Sequence, residues 1–496
     1  MIGRREFIKS IFWGAAGLHC RSLFASGKNP KKRPDVLFLA IDDMNDWITL
    51  FDKNNPIKTP NLERLAKRGV FFSRAYCCAA ACNPSRAAIL TGLRPTTSGV
   101  YGNHDAWREL VPNAITLPRY FRKYGYATKG AGKIFHHGDA GADHPDRPSF
   151  EEFFDMLPTR APKRNYNGYR TGNLSKVWFD WGDHDQKMID LDTVEWVENA
   201  MEQKTGKPLF LAAGIFKPHL PFYATTANFK KYPFDKTMLP PFKKGDLDDV
   251  PEIGKNMAWK EYFIYENTTA QPINSPGSFQ KMVQCYQASA DFADQMVGRL
   301  LDKLEATGRT QNTIIVLFSD HGYHLGDKES CVKFTLWEKA NHVPFIIVAP
   351  GVTKPGSVCD KPVTLVDIYP TLLDLCGLPP SGKVDGTSLV PLLKDVDIKW
   401  DQPALMTMGR GNHAVRSKRW RYIRYSDGAE ELYDHDNDPW EWNNLANNTA
   451  YTAVIKKHKK WLPQNEVPWK INESQNWIYR RVEWNDIPTH DKKEKP

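Results

Sequence analysis

Long hydrophobic runs are missing from this 496-residue sequence, as are several other features that would fix its class at once. The apolar run nearest the start, Ile11 to Leu18, falls well short of the roughly 20 residues a spanning helix needs, which predicts no permanent membrane span. No low-complexity tract or internal repeat is present, so fibrous and solenoid architectures are excluded. Cysteine is scarce: eight residues at this length do not make a disulfide scaffold. Cys77, Cys78 and Cys82 cluster, but no second Cys/His pair at zinc-ligand spacing follows them. The formal charge is +9, yet no helix-turn-helix, zinc-finger or RNP pattern accompanies it. That balance predicts an acidic partner, such as a sulfated or uronate-bearing polysaccharide, and no nucleic acid.

What is there suits one large folded domain with a smaller one beside it. The 16 Trp residues fill cores or offer flat faces to sugar rings, and core filling is the commoner use. The first residues, Gly3-Arg4-Arg5-Glu6-Phe7-Ile8-Lys9, resemble a twin-arginine export signal with a small-residue exit near Ala25-Ser26-Gly27. A lipoprotein signal using Cys20 competes, but His19 fits poorly where such a site needs small residues. Residues 1–27 are therefore read as a leader, and the mature protein as exported, periplasmic or secreted from a bacterium. Without that leader the formal charge falls from +9 to +6, so the chain stays basic. Six cysteines besides Cys20 and Cys82 could pair after export, with partners the sequence does not reveal.

Asp35 to Ile41 is a continuous apolar run of strand length, which predicts a strand buried on both faces. Further strands are predicted at Leu209–Gly214, Thr313–Phe318 and Pro344–Val348. Thr59-Pro60-Asn61 opens a short helix through Lys67 that Gly69 ends. Helical periodicity runs from Ser278 to Glu305 and from Val366 to Leu375. This alternation predicts an α/β fold with a doubly wound, mostly parallel sheet, whose ligands sit beyond the carboxyl ends of the strands. Residues 226–276, rich in Pro, Lys and Asp, read as a surface insertion. Beyond about residue 410, His413–Tyr425 and Glu430–Tyr433 flank Asp427-Gly428 as short antiparallel strands. The expected organisation is a main domain over 28–410 and a smaller C-terminal α+β subdomain over 411–496, built on a short antiparallel sheet.

Asp42-Asp43 ends the first strand, and adjacent carboxylates there are costly unless a cation neutralises them. Ser319-Asp320-His321-Gly322 ends another apolar strand and should reach the same sheet edge. Oxygen donors converging on one point suit a hard divalent ion, Ca²⁺ first and Mg²⁺ or Mn²⁺ next. The metal set these two motifs predict is Asp42, Asp43, Asp320 and His321. Lys133, His136, His219 and Lys333 would each pass alone for ordinary surface residues.

Cys82-Asn83-Pro84-Ser85-Arg86-Ala87-Ala88-Ile89-Leu90-Thr91-Gly92 matches C-x-P-S-R-x-x-x-L-T-G at every fixed position, and so resembles the type I sulfatases. Within them the likeness is to iduronate-2-sulfatases. It extends over most of residues 35–376, including Gly132-Lys133-Ile134-Phe135-His136, Lys217-Pro218-His219 and His342-Val343-Pro344. The resemblance implies an alkaline-phosphatase-like fold and one Ca²⁺ per chain, with residue 82 joining Asp42, Asp43, Asp320 and His321 around it. It also implies oxidation of Cys82 to formylglycine by a formylglycine-generating enzyme. The hydrated aldehyde is a diol: one hydroxyl attacks sulfur and the other later expels sulfate. By the same likeness Arg86 holds the diol or a sulfate oxygen, Lys133 and His136 contact diol and sulfate, and His219 with Lys333 protonates the leaving alcohol. His321 departs from the Asn that many sulfatases carry, and imidazole is an unusual calcium ligand. Tyr323, His324 and the tryptophans Trp440, Trp442, Trp461, Trp469 and Trp477 are candidate sugar contacts. The expected activity is hydrolysis of sulfate esters on an acidic polysaccharide or its oligosaccharides, with 2-sulfated uronate favoured. A phosphomonoester or phosphonate hydrolase of the same superfamily is the alternative, and a glycan-binding protein with decayed machinery is a third reading. The complete residue set argues against decay.

Overall fold

The computed structural model describes residues 33–136, 146–155, 178–180, 188–258 and 278–470. The predicted leader and Trp477 lie outside them. Strand β1 (Asp35–Asp42) is buried along its whole length. Its side chains alternate between two apolar layers: Leu37, Leu39 and Ile41 enter one, Val36, Phe38 and Ala40 the other. A strand buried on both faces needs helices on both sides, and it has them. Helices α1 (Pro60–Ala66), α3 (Ile189–Glu202) and α4 (Ser278–Ala306) line the first layer. Helices α2 (Cys82–Thr91) and α5 (Ile368–Leu375) line the second.

The main sheet also contains β2 (Val70–Phe72), β3 (Ala127–Gly132), β4 (Glu152–Phe154), β5 (Leu209–Pro218), β6 (Thr313–Ser319), β7 (Phe345–Val348) and β8 (Ser357–Cys359), in the order β8-β2-β7-β6-β1-β5-β3-β4. Only β7 runs antiparallel to its neighbours, β6 and β2; every other pairing is parallel. The parallel strands β1, β3, β5 and β6 thus end on one edge. Two glycines let β3 and β5 approach there. A Cβ on Gly132 (φ +74°) would sit 2.2 Å from Gly214 O, and one on Gly214 2.2 Å from Lys133 C.

A second sheet of four antiparallel strands follows: β9 (Ala404–Thr407), β10 (His413–Arg416), β11 (Trp420–Arg424) and β12 (Glu430–Asp434). It begins before the expected boundary, and the single strand expected over 413–425 is two strands that turn at Ser417–Arg419, where Ser417 N donates to Trp420 O. Helix α6 (Thr452–Lys459) follows this sheet. The stretch read as a surface insertion is partly core: Leu247, Val250, Met257 and Ala258 pack with Met406, Ile423 and Tyr425 of the small sheet. The seven described cysteines are all buried free thiols, so none of the described candidates is paired. No helix among the described residues is long and apolar enough to cross a membrane.

Candidate active site

Four strand ends deliver the site. Asp42 closes β1, and Asp43 follows in the left-handed region (φ 63°), a conformation unfavourable to an L-residue without a compensating role. Asp320 follows β6, and its N–H donates to Ile41 O (3.0 Å), which brings the two carboxylate-bearing ends together. Lys133 follows β3, with its N–H on Gly214 O (3.0 Å), and His219 follows β5. Asp42, Asp43 and Asp320 are at most 1% exposed. Ligand atoms of Asp42, Cys82, Asp320 and His321 lie within 4.8 Å of one another, as do those of Asp42, Asp43, Cys82 and His219.

Cys82 is the first residue of α2, so the positive end of the helix faces its sulfur. Its Sγ lies 3.2 Å from His321 Nε2, 3.2 Å from Lys333 Nζ, 3.7 Å from Lys133 Nζ and 3.7 Å from Asp42 Oδ1. Burial pushes the thiol up, but Lys133, Lys333 and His321, with a hydrogen bond from His136, hold it well below its ordinary value. Burial pushes His136 down. Its Nδ1 is buried with no hydrogen-bond partner.

The carboxylates are tied to cations. Burial would raise Asp42, but Lys133, His219 and Arg86 outweigh it and hold it below the usual range. Asp320 is pushed up to about 7 by burial and by Asp42, against the pull of Arg86. Lys333 donates to Asp43 Oδ1 (2.7 Å). His321 Nδ1 faces two acceptors, Gly322 O (3.0 Å) and Asp43 Oδ1 (3.2 Å), so that nitrogen carries the proton. Burial pushes His321 down, and Asp320, Cys82 and Asp43 overcome it to bring the imidazole up to about 9. Arg86 is tied to both strand ends: Nε donates to Asp320 Oδ2 (2.7 Å), Nη1 to the carbonyls of Lys133 and Ile134, and Nη2, which makes no hydrogen bond, lies 3.5 Å from Asp42 Oδ1. It cross-links two strand ends as well as facing the nucleophile's side of the site.

Buried Asp42 Oδ2 is ion-paired with the Lys133 ammonium, whereas buried Asp43 Oδ2 accepts no hydrogen bond. A buried carboxylate oxygen without a hydrogen bond, beside the carboxylates of Asp42 and Asp320, fits a hard divalent cation. Two expected sugar contacts are corrected. His324 is fully buried, with its ring nitrogens on Asp327 Oδ2 and Thr335 Oγ1 (2.7 Å). Tyr323 is also buried, and its hydroxyl donates to Cys331 O (2.5 Å). Both are packed inside the protein, Tyr323 within the apolar layer that also holds Phe222 and Tyr286, and His324 edge-on to Trp337. Trp469 donates to Asp105 and Trp461 is 44% exposed.

The sulfatase family model matches residues 34–378, more than half of the chain, and it spans every residue of this cluster. The chain belongs to the sulfatase family. A model for the C-terminal part of N-sulphoglucosamine sulphohydrolase matches residues 326–467, the stretch that carries the small sheet. The sulfatase is 38% identical over 451 residues to a sulfatase of Formosa agariphila, covering 88% of each chain. It is 27% identical to human iduronate 2-sulfatase, covering 84% of this chain and 91% of that one. Among solved structures, one in complex with its substrate D-glucosamine-2-N,6-O-disulfate superposes with TM-score 0.70 at 22% identity, covering 93% of this chain and all of that one. A phosphonate monoester hydrolase of Agrobacterium radiobacter gives 0.71 at 21% identity, covering 86% and 94%. The fold is therefore the expected alkaline-phosphatase-like one. Architecture alone does not separate sulfate from phosphonate chemistry, but the family match does: the protein is a sulfuric ester hydrolase.

Other side chains, some of them motif positions to which the sequence assigned no role, brace the site. Ser85 Oγ donates to Asp320 O (2.6 Å), and Ser319 Oγ accepts from Met44 N (2.9 Å), so both hydroxyls hold strand ends. Asp46 accepts from Lys339 (2.9 Å) and bonds His342 Nδ1 (2.9 Å). Arg416 and Arg421 reach from the small sheet to Glu338, and Arg421 Nη1 donates to Leu336 O (2.7 Å), which fixes the segment just after Lys333. A charged residue inside an apolar strand pattern is the one signal that could have pointed to Arg421.

Proposed function

We propose that the enzyme removes sulfate from an acidic glycan through a formylglycine derived from Cys82, with 2-sulfated uronate units as the favoured substrate. The observation that carries this is the setting of Cys82: one oxidisable side chain at a helix N-terminus, with Lys133, Lys333 and His321 around its sulfur. A plain thiol nucleophile has no need of that much positive charge; a transferring sulfuryl group does. Formylglycine, once formed by a formylglycine-generating enzyme, supplies paired hydroxyls, one to attack sulfur and one to expel sulfate. Asp42, Asp43 and Asp320 would hold a Ca²⁺, which would supply Lewis-acid polarisation of the sulfate group. Lys133 and Lys333 neutralise the equatorial oxygens, and His136, beside residue 82, takes the proton when the sulfated intermediate breaks down. His219 protonates the departing alcohol. Its Nδ1 faces Leu220 O, an acceptor, so that nitrogen is fixed as a donor, and Nε2 turns toward Asp43 Oδ2 (3.9 Å). The uronate preference is supported by the names of two relatives, human iduronate 2-sulfatase and an ulvan-active sulfatase of Formosa agariphila, and by the chain's basic charge.

Two measurements test this. Mass spectrometry of the peptide around residue 82 should show thiol-to-aldehyde conversion, and Cys82→Ala should lose sulfate release on the order of 10⁴-fold or more while staying folded. Sulfate release across uronate-bearing, neutral and amino-sugar sulfates should be greatest for 2-sulfated uronates. An unmodified thiol in the active native enzyme defeats the mechanism, and equal turnover of all glycans defeats the substrate assignment.

A further inference from the structure

Lys217 is fully buried at the end of β5, and no carboxylate among the described residues lies within ion-pair distance of its Nζ. An ammonium in such a place costs several kcal/mol of desolvation. An apolar side chain would fill the volume more cheaply, so the amine must do something there. Nζ donates to His219 O (3.0 Å) and to Pro221 O (2.5 Å), and it sits 3.6 Å from the centroid of the Tyr223 ring.

The turn that carries His219 explains the need. Its sequence, Lys217-Pro218-His219-Leu220-Pro221, contains two prolines, which give no N–H to satisfy neighbouring carbonyls. The Lys217 side chain supplies the missing donors, and either the ammonium or the neutral amine has enough N–H bonds for both. The near side of the turn is pinned by Asp190 in the first turn of α3, which accepts from Phe216 N (2.7 Å) and Lys217 N (3.0 Å). The His219 ring rests on Phe216, with centroids 4.8 Å apart. Asp190 and Lys217 thus grip the turn from both ends and aim the imidazole at Asp43.

We propose that Lys217 is the positioning residue for leaving-group protonation: its buried Nζ closes the proline-bounded turn and so fixes His219. The inference rests on His219 being the proton donor. A poor leaving group, such as a sugar hydroxyl, needs that proton, whereas nitrophenolate leaves without it. Lys217→Met should therefore cut kcat on a sulfated uronate oligosaccharide by about 10- to 100-fold, but on nitrophenyl sulfate by less than about threefold. Lys217→Arg, which keeps donors, should recover part of the loss. Asp190→Asn, which replaces one of the two paired acceptor oxygens by a donor, should show the same leaving-group pattern more weakly, and it carries the test if Lys217→Met does not fold. His219→Ala serves as the reference. Equal losses on both substrates in a folded variant, or no loss on either, would overturn the role of Lys217. If His219→Ala itself fails to discriminate between leaving groups, the assignment of His219 falls first, and the positioning claim falls with it.

Discussion

At the scale of single residues, burial decides what each charge can do. Asp46 lies three positions beyond Asp43, and its carboxylate is held between Lys339 and His342. Burial would raise it, but those partners bring it down to about 2 from its usual 3.8. The folded-state value is the lower one, so Asp46 stabilises the fold fully above pH 3.8 and loses that contribution as pH falls toward 2. The shift corresponds to about 2 kcal/mol. Acid unfolding followed by circular dichroism should show Asp46→Asn less stable at pH 6 and flatter between pH 4 and 2; an unchanged acid limb would refute the coupling. Asp42, Asp43, Cys82 and Asp320 were legible as a site because each stands in a short motif at a strand or helix end. Asp46 was not. Its partners Lys339 and His342 lie almost 300 positions away, and nothing local distinguishes it from any loop aspartate.

At the scale of elements, the site depends on how closely two strands approach. Gly214 on β5 lets Lys133 leave β3 in the direction of Cys82, and a Cβ there would fall 2.2 to 2.5 Å from the Lys133 backbone. Gly214→Ala should displace Lys133, lower stability by about 1–3 kcal/mol and reduce kcat on the order of a hundredfold. A thermal melt with steady-state kinetics checks this, and full activity would show that the approach of the two strands is not required. The four buried strands and the long helix α4 were readable from apolar runs and from helical periodicity, since a strand buried on both faces has no polar positions to confuse the pattern. The break between β10 and β11 was not readable, because Arg421 and the apolar Tyr422 and Ile423 continue a strand-like alternation across the turn at Ser417–Arg419. The buried part of 226–258 was missed for the opposite reason: most of its Lys and Asp are exposed, the few apolar residues between them carry the packing, and the exception, Asp246, is buried against Lys328 from a distant segment.

At the scale of the whole molecule, three carboxylates meet although they come from segments nearly 280 residues apart, and their mutual repulsion has to be offset. Treatment with a chelator should lower the melting temperature and sulfate release together, with Ca²⁺ restoring both. Calcium at a hundredfold excess over its Kd would add about 2.7 kcal/mol, read as a concentration-dependent melting temperature. A melting temperature indifferent to chelator and calcium would overturn the metal assignment. The sequence alone determined the family chemistry, the main strands and the residues at their ends, because those properties are written in contiguous motifs and short-range apolar patterns. Only the tertiary structure decided that Arg86 is bound to Asp320, that Tyr323 and His324 face inward, and that Lys217 closes the His219 turn. Those outcomes depend on burial and on partners supplied by distant segments, and no local pattern records either.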